Sequence, residues 1–233
     1  MKNRPVTLIT GSRKGIGRYL VGHYVKLGHT VIGCSRGSPD WREENYTHYE
    51  LDVTNEKQVQ GLFVEIASKH QRLDHLLNNA GIASMNHILL TPVSTVESIM
   101  NTNFLGTFLF CREAVRLMMR NRYGRIINFS TIATHLNLEG EAIYAASKAA
   151  VTKFSEILAR EVAPMGITVN TIAPTPLETD LTKNVPPDKM KNVLGRQAIP
   201  RFGIFEDISN VTDFYLQSES GFITGQTLYL GGC

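Results

Sequence analysis

Short apolar runs rich in β-branched residues alternate with longer segments of helical periodicity along the whole chain. The runs predict strands at Val6–Thr10, Thr30–Cys34, Thr47–Leu51, Asp74–Leu77, Arg125–Ser130, Ile167–Ile172 and Thr227–Leu230. The periodic segments predict helices at Ile16–Leu27, Glu56–His70, Thr95–Asn121, Glu141–Ala163 and Glu206–Gln217. Ser94 and Glu97 have the spacing of a capping box before the longest helix. Several runs are almost continuously apolar, so we expect a doubly wound α/β fold: a parallel seven-stranded sheet with helices on both faces.

Size and composition describe one compact domain. The chain has 233 residues, of which 42% are hydrophobic and 19% charged, and a single core can grow to about 250 residues. We therefore expect one domain over residues 1–233. The net charge of +3 is too small to indicate a nucleic-acid partner or a membrane surface. A small molecule is the expected ligand.

Cysteine usage and hydropathy predict a cytoplasmic protein. Cys34, Cys111 and Cys233 lie far apart, which favours neither a disulfide framework nor a metal cluster. The apolar stretch Val6–Ile9 is too short for the core of a signal peptide. No run reaches the roughly 18 apolar residues of a membrane span. We expect a reducing compartment, no metal and no membrane contact.

One stretch, residues 182–203, interrupts the alternation. It combines charges with Pro186, Pro187, Gly195 and Pro200. This composition favours a mobile loop over a site rather than a linker between domains. We predict that it is the substrate loop.

A glycine-rich turn follows the first predicted strand and precedes the first helix. Glycines at 11, 15 and 17 allow a tight turn and a close approach of backbone to a pyrophosphate. The spacing differs from the commonest dinucleotide fingerprint, G-x-G-x-x-G, and such a turn can be purely structural. Its position between strand and helix favours a phosphate site. The predicted cofactor-binding residues here are Gly11, Ser12, Arg13, Lys14, Gly15, Ile16 and Gly17.

The end of the second strand indicates the type of nucleotide. An NAD site would place a carboxylate there for the ribose 2′-hydroxyl, but the chain reads Cys34-Ser35-Arg36. Arg36 suits a 2′-phosphate and Lys14 can point to the same place; the alternative is two solvated surface cations. We therefore predict NADP(H) as the cofactor. Asp52, after the third strand, can accept from the adenine amine or cap the next helix.

Candidate chemistry follows the fourth and fifth strands. Asn78–Gly81 supplies amides and small residues where a flat ligand can pass. The fifth strand ends in the hydroxyls of Ser130 and Thr131. Tyr144 and Lys148 share a helix face at i and i+4. A nearby cation lowers the pKa of a phenol, which makes Tyr144 a candidate general acid for carbonyl reduction.

The combined motifs resemble those of the short-chain dehydrogenases/reductases over almost the whole chain. The resemblance rests on the glycine turn, Asp52-Val53, Asn78–Gly81, Asn103, Tyr144 with Lys148, and Thr179. It implies that Tyr144 exchanges a proton, that Lys148 also holds the nicotinamide ribose and that Asn103 supports a proton-conducting water. The implied catalytic residues are Asn103, Thr131, Tyr144 and Lys148. Further implied cofactor contacts are Asp52, Val53, Asn79, Ala80, Gly81, Tyr144, Lys148, Pro174 and Thr179.

Two departures from the family pattern concern the site. The family usually has Ser where this chain has Thr131, and Gly where it has Thr175. Phe222–Thr227 is similar to the ketoacyl-thioester reductases, which implies a 3-oxoacyl thioester as substrate. A small polar or sugar-like ketone is the alternative, and a non-catalytic NADP(H)-sensing regulator is an alternative of another class. His135 could contact substrate or be an exposed loop residue.

Two surface features concern partners. Arginines recur along the longest helix and beyond it, either as a solvated or subunit-facing side or as a landing area for an acidic acyl carrier protein; they are Arg112, Arg116, Arg120, Arg122 and Arg125. The two longest helices carry apolar residues beyond one core-facing stripe, namely Phe104, Phe108, Phe110, Leu117, Met118, Phe154, Ile157 and Leu158. Because family members commonly pair these helices, we expect a homotetramer or at least a dimer.

Overall fold

Seven parallel strands form one sheet in the computed structural model, which describes residues 4–180, 182–183 and 185–232. The strands are β1 (Val6–Thr10), β2 (Thr30–Ser35), β3 (Tyr46–Glu50), β4 (His75–Asn78), β5 (Gly124–Phe129), β6 (Ile167–Ala173) and β7 (Thr227–Tyr229). Their order in the sheet is β3-β2-β1-β4-β5-β6-β7, and every pairing is parallel. The predicted doubly wound α/β fold is confirmed.

Helices connect the strands. They are α1 (Gly15–Lys26), α2 (Glu56–His70), α3 (Val93–Met100), α4 (Gly106–Met118), α5 (Ala133–Leu136), α6 (Ala142–Val162), α7 (Pro187–Gly195) and α8 (Phe205–Leu216). A π turn, Asn101–Leu105, joins α3 to α4. Short 3₁₀ turns lie at Ile88–Leu90, Met119–Asn121, Ala163–Met165 and Ser218–Phe222. Within the described ranges, we find no helix with both the length and the apolar character needed to cross a bilayer.

The start of α3 corrects one prediction. The helix begins at Val93, and Pro92 is its N-cap residue. Ser94 and Glu97 are therefore inside the helix, and the predicted capping box is wrong. Proline fixes φ near the helical value and has no amide hydrogen to satisfy, so it is tolerated at a helix start.

Alternate residues of the central strands face two different layers of helices. Leu8 packs in a cluster with α2, α4 and α6, whereas Ile9 packs with α1 and α8. Such alternation follows from the two-residue period of a strand. The strand order reverses between β1 and β4, and doubly wound sheets bind ligands in the crevice at that point, beyond the carboxyl ends of the strands.

Candidate active site

The glycine turn lies at this crevice and is packed closely against the turn after β4. Gly11 has a φ of +67°, and a Cβ there would lie 2.9 Å from the Ala80 Cα. A Cβ on Gly17 would lie 2.3 Å from the Gly11 carbonyl oxygen. Lys14 is the N-cap residue of α1, and among the described residues its side chain makes no capping hydrogen bond. The first amides of α1 are thus available for an anion.

The turn residues divide between two environments. Gly11, Lys14, Gly15 and Ile16 line a cleft of about 420 Å³. Ser12 is fully buried instead, with its Oγ 2.9 Å from the Tyr46 hydroxyl. The Ser12 side chain therefore packs against Tyr46, the first residue of β3, and does not line the cleft. Gly17 serves close packing, as its contact with Gly11 shows.

A second, polar pocket of about 470 Å³ adjoins the glycine turn beyond β2. Its lining carries the cations of Arg13, Lys14, Arg18 and Lys183 and the carboxylates of Asp40, Glu178 and Asp180. Arg36 is exposed and is not part of this lining. Lys14 forms an ion pair with Asp180 at 3.3 Å. Sequence reasoning missed Arg18, although its place one helical turn after Lys14 was a usable signal.

The residues between β3 and α2 form a turn that is held by hydrogen bonds within the chain. The Asp52 carboxylate accepts the Thr54 amide at 2.9 Å and the Thr54 hydroxyl at 2.8 Å. Asn55, not Asp52, caps α2 by accepting the Gln58 amide at 3.2 Å. Val53 is buried against Gly106 at the start of α4. The capping alternative for Asp52 is therefore wrong, and its adenine contact stays a prediction.

The turn after β4 is tied to the end of β1. The Asn79 side-chain amide donates to the Thr10 and Gly11 carbonyls at 3.0 and 3.2 Å. The Ala80 amide donates to the Thr10 hydroxyl at 2.9 Å. Asn79, Ala80 and Gly81 all line the cleft. The predicted contact residues of both strands thus meet in one place.

Tyr144, Lys148 and Thr131 line the same cleft. The Lys148 ammonium is buried and donates to the Phe129 carbonyl at 2.8 Å, and burial lowers the pKa of Lys148 to about 8. Burial and the negative charge of Glu141 raise the pKa of Tyr144 to about 12, and a hydrogen bond with Thr131 opposes this rise. The prediction of a lowered Tyr144 pKa is wrong, because burial and Glu141 outweigh any effect of the lysine.

The two hydroxyls at the end of β5 point to different places. The Ser130 hydroxyl is buried, donates to the Lys148 carbonyl at 3.3 Å and accepts from the Thr152 hydroxyl at 3.0 Å. The Thr131 hydroxyl accepts the Ala133 amide at 3.2 Å, and Thr131 lines the cleft together with Tyr144. Thr131 is therefore the candidate hydroxyl for the carbonyl oxygen, and its catalytic role stays a prediction.

Asn103 lies directly behind this cleft, in the π turn. Its Nδ2 donates to the Ile82 carbonyl and to the Ser147 hydroxyl, each at 2.9 Å, and its Oδ1 accepts the Ile82 amide at 2.9 Å. A Cβ on Gly81 would lie 3.2 Å from both the Asn103 Oδ1 and the Lys148 Nζ. The structure thus gathers all four predicted catalytic residues.

Comparison with known proteins decides the family. The short chain dehydrogenase family model matches residues 5–190. The chain belongs to the short-chain dehydrogenase family. It is 33% identical to the 3-oxoacyl-(acyl-carrier-protein) reductase FabG of Escherichia coli (strain K12), over 97% of this chain and 96% of that protein.

Two solved structures extend this result. ElxO with NADP bound matches with a TM-score of 0.89 and 30% identity, covering 97% of both chains. The ligand-free aldohexose dehydrogenase of Thermoplasma acidophilum matches with a TM-score of 0.90 and 28% identity, covering 98% of this chain and 93% of that one. The resemblance that the motifs predicted is confirmed.

In this short-chain dehydrogenase, Thr175 contacts the predicted substrate loop. Its hydroxyl donates to the Gln197 side-chain carbonyl, and both residues are buried. The Pro174 carbonyl accepts the Ile132 amide at 3.2 Å. Thr179 is partly buried beside Gly15, with its methyl 3.7 Å from a Cβ placed there. Thr175 therefore anchors the loop, and Pro174 and Thr179 line the cleft.

The loop itself forms a wall of the cleft. It contains α7, which the prediction of a loop over residues 182–203 omitted, and Val185, Met190 and Val193 line the cavity. His135 is exposed on α5 and packs edge-on against Tyr229, with ring centroids 4.0 Å apart. The exposed alternative for His135 is thus the correct one, on a short helix rather than in a loop.

Several of the arginines predicted to form a partner surface bind other side chains of the same chain. Arg112 pairs with Glu56 at 2.7 Å and with Glu113 at 2.9 Å, and Arg116 pairs with Glu113 at 2.9 Å. Arg125 is buried, with its guanidinium 4.5 Å from the centroid of the Tyr123 ring. Of the predicted surface cations, Arg125 is therefore not at the surface.

The cysteine, histidine and acidic side chains of the described residues were compared with the geometry of a metal site. Cys34 and Cys111 are buried free thiols, and Cys233 lies outside the described residues. In residues 4–180, 182–183 and 185–232, no group of three or more His, Cys, Asp or Glu side chains has the geometry of a metal site.

Proposed function

We propose that the protein transfers hydride between NADP(H) and a ketone or the matching secondary alcohol, with 3-oxoacyl thioesters as the substrate class. The observation that carries the proposal is the meeting of Thr131, Tyr144 and Lys148 in the cleft that also contains the glycine turn. The similarity to FabG supports the substrate class, and the similarity to NADP-bound ElxO supports the cofactor.

The nucleotide side fits NADP(H). The uncapped start of α1 suits the pyrophosphate, and Arg13, Lys14 and Arg18 line a pocket suited to a 2′-phosphate. Arg36 follows β2 at the surface and is the further candidate for this phosphate. Asn79 to Gly81, Pro174 and Thr179 line the cleft on the nicotinamide side. When bound, NADPH supplies the hydride for reduction.

The chain's own residues handle the carbonyl and the proton. Tyr144 donates its proton to the carbonyl oxygen, and Thr131 donates a hydrogen bond to the same oxygen as negative charge develops. The Lys148 ammonium, held by the Phe129 carbonyl, stabilises the phenolate left behind. Asn103 fixes the Ile82 backbone and Ser147 at the floor of the cleft, where the resemblance places a proton-conducting water.

The test is to follow NADPH oxidation with a panel of 3-oxoacyl thioesters, diketones, aldehydes and sugar ketones. The proposal expects the highest kcat/KM with a 3-oxoacyl thioester. Tight NADPH binding without turnover of any compound would instead support a non-catalytic NADP(H)-sensing regulator.

A small polar or sugar-like ketone is the second candidate substrate. Glu141 brings a carboxylate to the cleft, which can accept hydrogen bonds from substrate hydroxyls. The similarity to the aldohexose dehydrogenase points the same way. The same panel decides between the two classes, since a preference for sugar ketones over thioesters would select this candidate.

The proposal includes the association of two or more copies of this chain. Four of the residues predicted to contact another subunit are buried in the core of the chain, namely Phe110, Leu117, Met118 and Leu158. For these four the prediction is wrong. A smaller apolar cluster remains partly exposed on α6 and the preceding helices. Phe104 and Phe108 are partly buried and both pack against Phe154, and Ile157 is exposed. This cluster supports the pairing of these helices in a dimer or homotetramer. An acyl carrier protein as partner and a cytoplasmic location stay predictions.

A further inference from the structure

A carboxylate lies at the reacting end of the cleft and has no part in the proton transfer. Glu141 immediately precedes α6, and its carbonyl accepts the Ala145 amide at 2.8 Å. Glu141 and Tyr144 are therefore on one helix face, one turn apart. Glu141 lines the cavity together with Tyr144 and Thr131. Its charge is close enough to raise the pKa of Tyr144.

The other charged side chains that line this cavity are Lys14, Asp180 and Lys148. Lys14 pairs with Asp180 at 3.3 Å, and the Lys148 ammonium donates to the Phe129 carbonyl at 2.8 Å. Within the part of the chain that the structure describes, the Glu141 carboxylate accepts no hydrogen bond. Lys189, the cation that faces it, is an exposed residue of α7. Glu141 therefore presents to the cavity a carboxylate that lacks a hydrogen-bond partner among the described residues and is opposed in charge by the exposed Lys189.

The walls around this carboxylate strengthen its effect. Met85, Leu138, Met190 and Val193 line the same cavity, and a Cβ on Gly140, the residue before Glu141, would lie 3.2 Å from the Met85 Cγ. Charges interact more strongly beside apolar walls than in open water. A second negative charge next to Glu141 is thus disfavoured, whereas a neutral group there is not.

We infer that Glu141 selects substrates by charge, rejecting ketones with a carboxylate near the carbonyl, such as free 3-oxo acids, and accepting neutral derivatives of the same acids. This inference rests on the proposed function as a ketone reductase. It deepens that function, because a thioester is the neutral form in which a 3-oxo acid would reach this site.

The test compares acetoacetate with its methyl ester, each with NADPH, in the native enzyme and in Glu141→Gln. The glutamine keeps the shape and removes the charge. We expect the ratio of kcat/KM for ester over acid to fall about 10-fold in Glu141→Gln. A change in the Tyr144 pKa acts on both ketones equally and cancels in this ratio. Glu139→Gln is the matched control, since Glu139 is exposed and outside the cavity lining.

Two results separate the inference from the function. An ester-to-acid ratio that is the same in the native enzyme and in Glu141→Gln overturns the charge selection and leaves the reductase intact. If neither ketone is reduced, dissociation constants of both compounds for the NADPH-loaded enzyme, measured by NADPH fluorescence, replace the rates. Equal relative affinities in the two proteins then overturn the inference.

Discussion

Burial keeps the Tyr144 phenol protonated. With a pKa raised to about 12, the phenol holds its proton at neutral pH, which is the form a general acid needs to protonate a ketone. The Lys148 ammonium, with a pKa of about 8, is still mostly charged at neutral pH. The pair therefore holds the proton that Tyr144 donates in carbonyl reduction.

Tyr144→Phe keeps the ring and removes the transferable proton. Turnover should fall by roughly 10²–10⁴-fold while NADPH still binds, because general acid catalysis contributes an effect of that size. Steady-state rates and NADPH fluorescence titration measure the two quantities. Tyr123→Phe, just before the amino end of β5 and therefore at the opposite end of that strand from the cleft, is the control and should retain activity. Undiminished turnover of Tyr144→Phe would remove Tyr144 from the mechanism.

Thr131 and Ser130 make a second pair of tests at the residue scale. Thr131→Val resembles threonine in shape but lacks the hydroxyl, so turnover should fall by roughly 10²-fold or more. Thr131→Ser should stay active. Ser130→Ala should affect stability more than chemistry, since the Ser130 hydroxyl bonds to Lys148 and Thr152. An active Thr131→Val beside an inactive Ser130→Ala would make Ser130 the working hydroxyl.

Among the secondary-structure elements, the strands could be predicted to within one residue at each end. Fully covered parallel strands are short, almost continuous apolar runs, and that signal is local. Helix α7 was missed because prolines and charges in residues 182–203 indicate a loop. The proline at its first position is compatible with a helix start, and its Val193 packs in a buried cluster with Ile132 and Leu136.

The candidate site was predictable as a set of residues but not in its electrostatics. Spacing alone placed Tyr144 and Lys148 on one helix face. The direction of the Tyr144 pKa depends on burial and on Glu141, and both are tertiary properties. The burial of Ser12 against Tyr46 likewise depends on the pairing of β2 with β3, which no local pattern shows.

The contact between β6 and the substrate loop gives a prediction at this scale. Thr175→Val removes the hydrogen bond to Gln197, whose Nε2 is buried and has no partner among the described residues. In that variant neither the oxygen nor the nitrogen of the Gln197 side-chain amide has a hydrogen-bond partner, which lowers the free energy of unfolding by about 1–3 kcal/mol. We expect faster amide exchange in α7 and a higher KM. Thr175→Ser should restore native exchange; equal exchange in all three proteins would contradict the anchor.

At the scale of the whole molecule, a buried histidine couples stability to pH. Burial, with the charges of His29, Arg125 and Arg72, lowers the pKa of His75 to about 3. An unfolded histidine titrates near pH 6.5, so below about that pH the unfolded chain binds more protons. The contribution of His75 to the free energy of unfolding is therefore fully present above about pH 6.5. Below that pH it falls by up to about 1.4 kcal/mol per pH unit.

Urea unfolding between about pH 7 and about pH 5 measures this effect. His75→Asn should flatten the pH dependence of the unfolding free energy, whatever its effect at neutral pH. His87→Asn, at an exposed position, is the control and should keep the native slope. An unchanged slope in His75→Asn would assign the pH dependence to other groups.

The partly exposed apolar cluster of Phe104, Phe108, Phe154 and Ile157 leads to a prediction about assembly. Light scattering at micromolar concentration should give a particle of at least twice the 26.0 kDa mass of one chain. Ile157→Glu places a charge beside this cluster, at a residue that is 53% exposed in the single chain, and should shift the particle toward the monomer. Val64→Glu, at a residue 68% exposed on α2, should not. A native particle of 26.0 kDa would contradict the assembly.

The π turn at Asn101–Leu105 determines which side of the following helix, α4, faces the sheet. The Gly106 amide bonds to the Asn101 carbonyl, five residues back, and the Thr107 hydroxyl donates to the Asn103 carbonyl at 2.7 Å. One residue in a regular helix corresponds to about 100° of rotation. Deleting a single residue here would turn the side of α4 that holds Phe110 away from the sheet. The length of this segment is thus as constrained as any of its side chains.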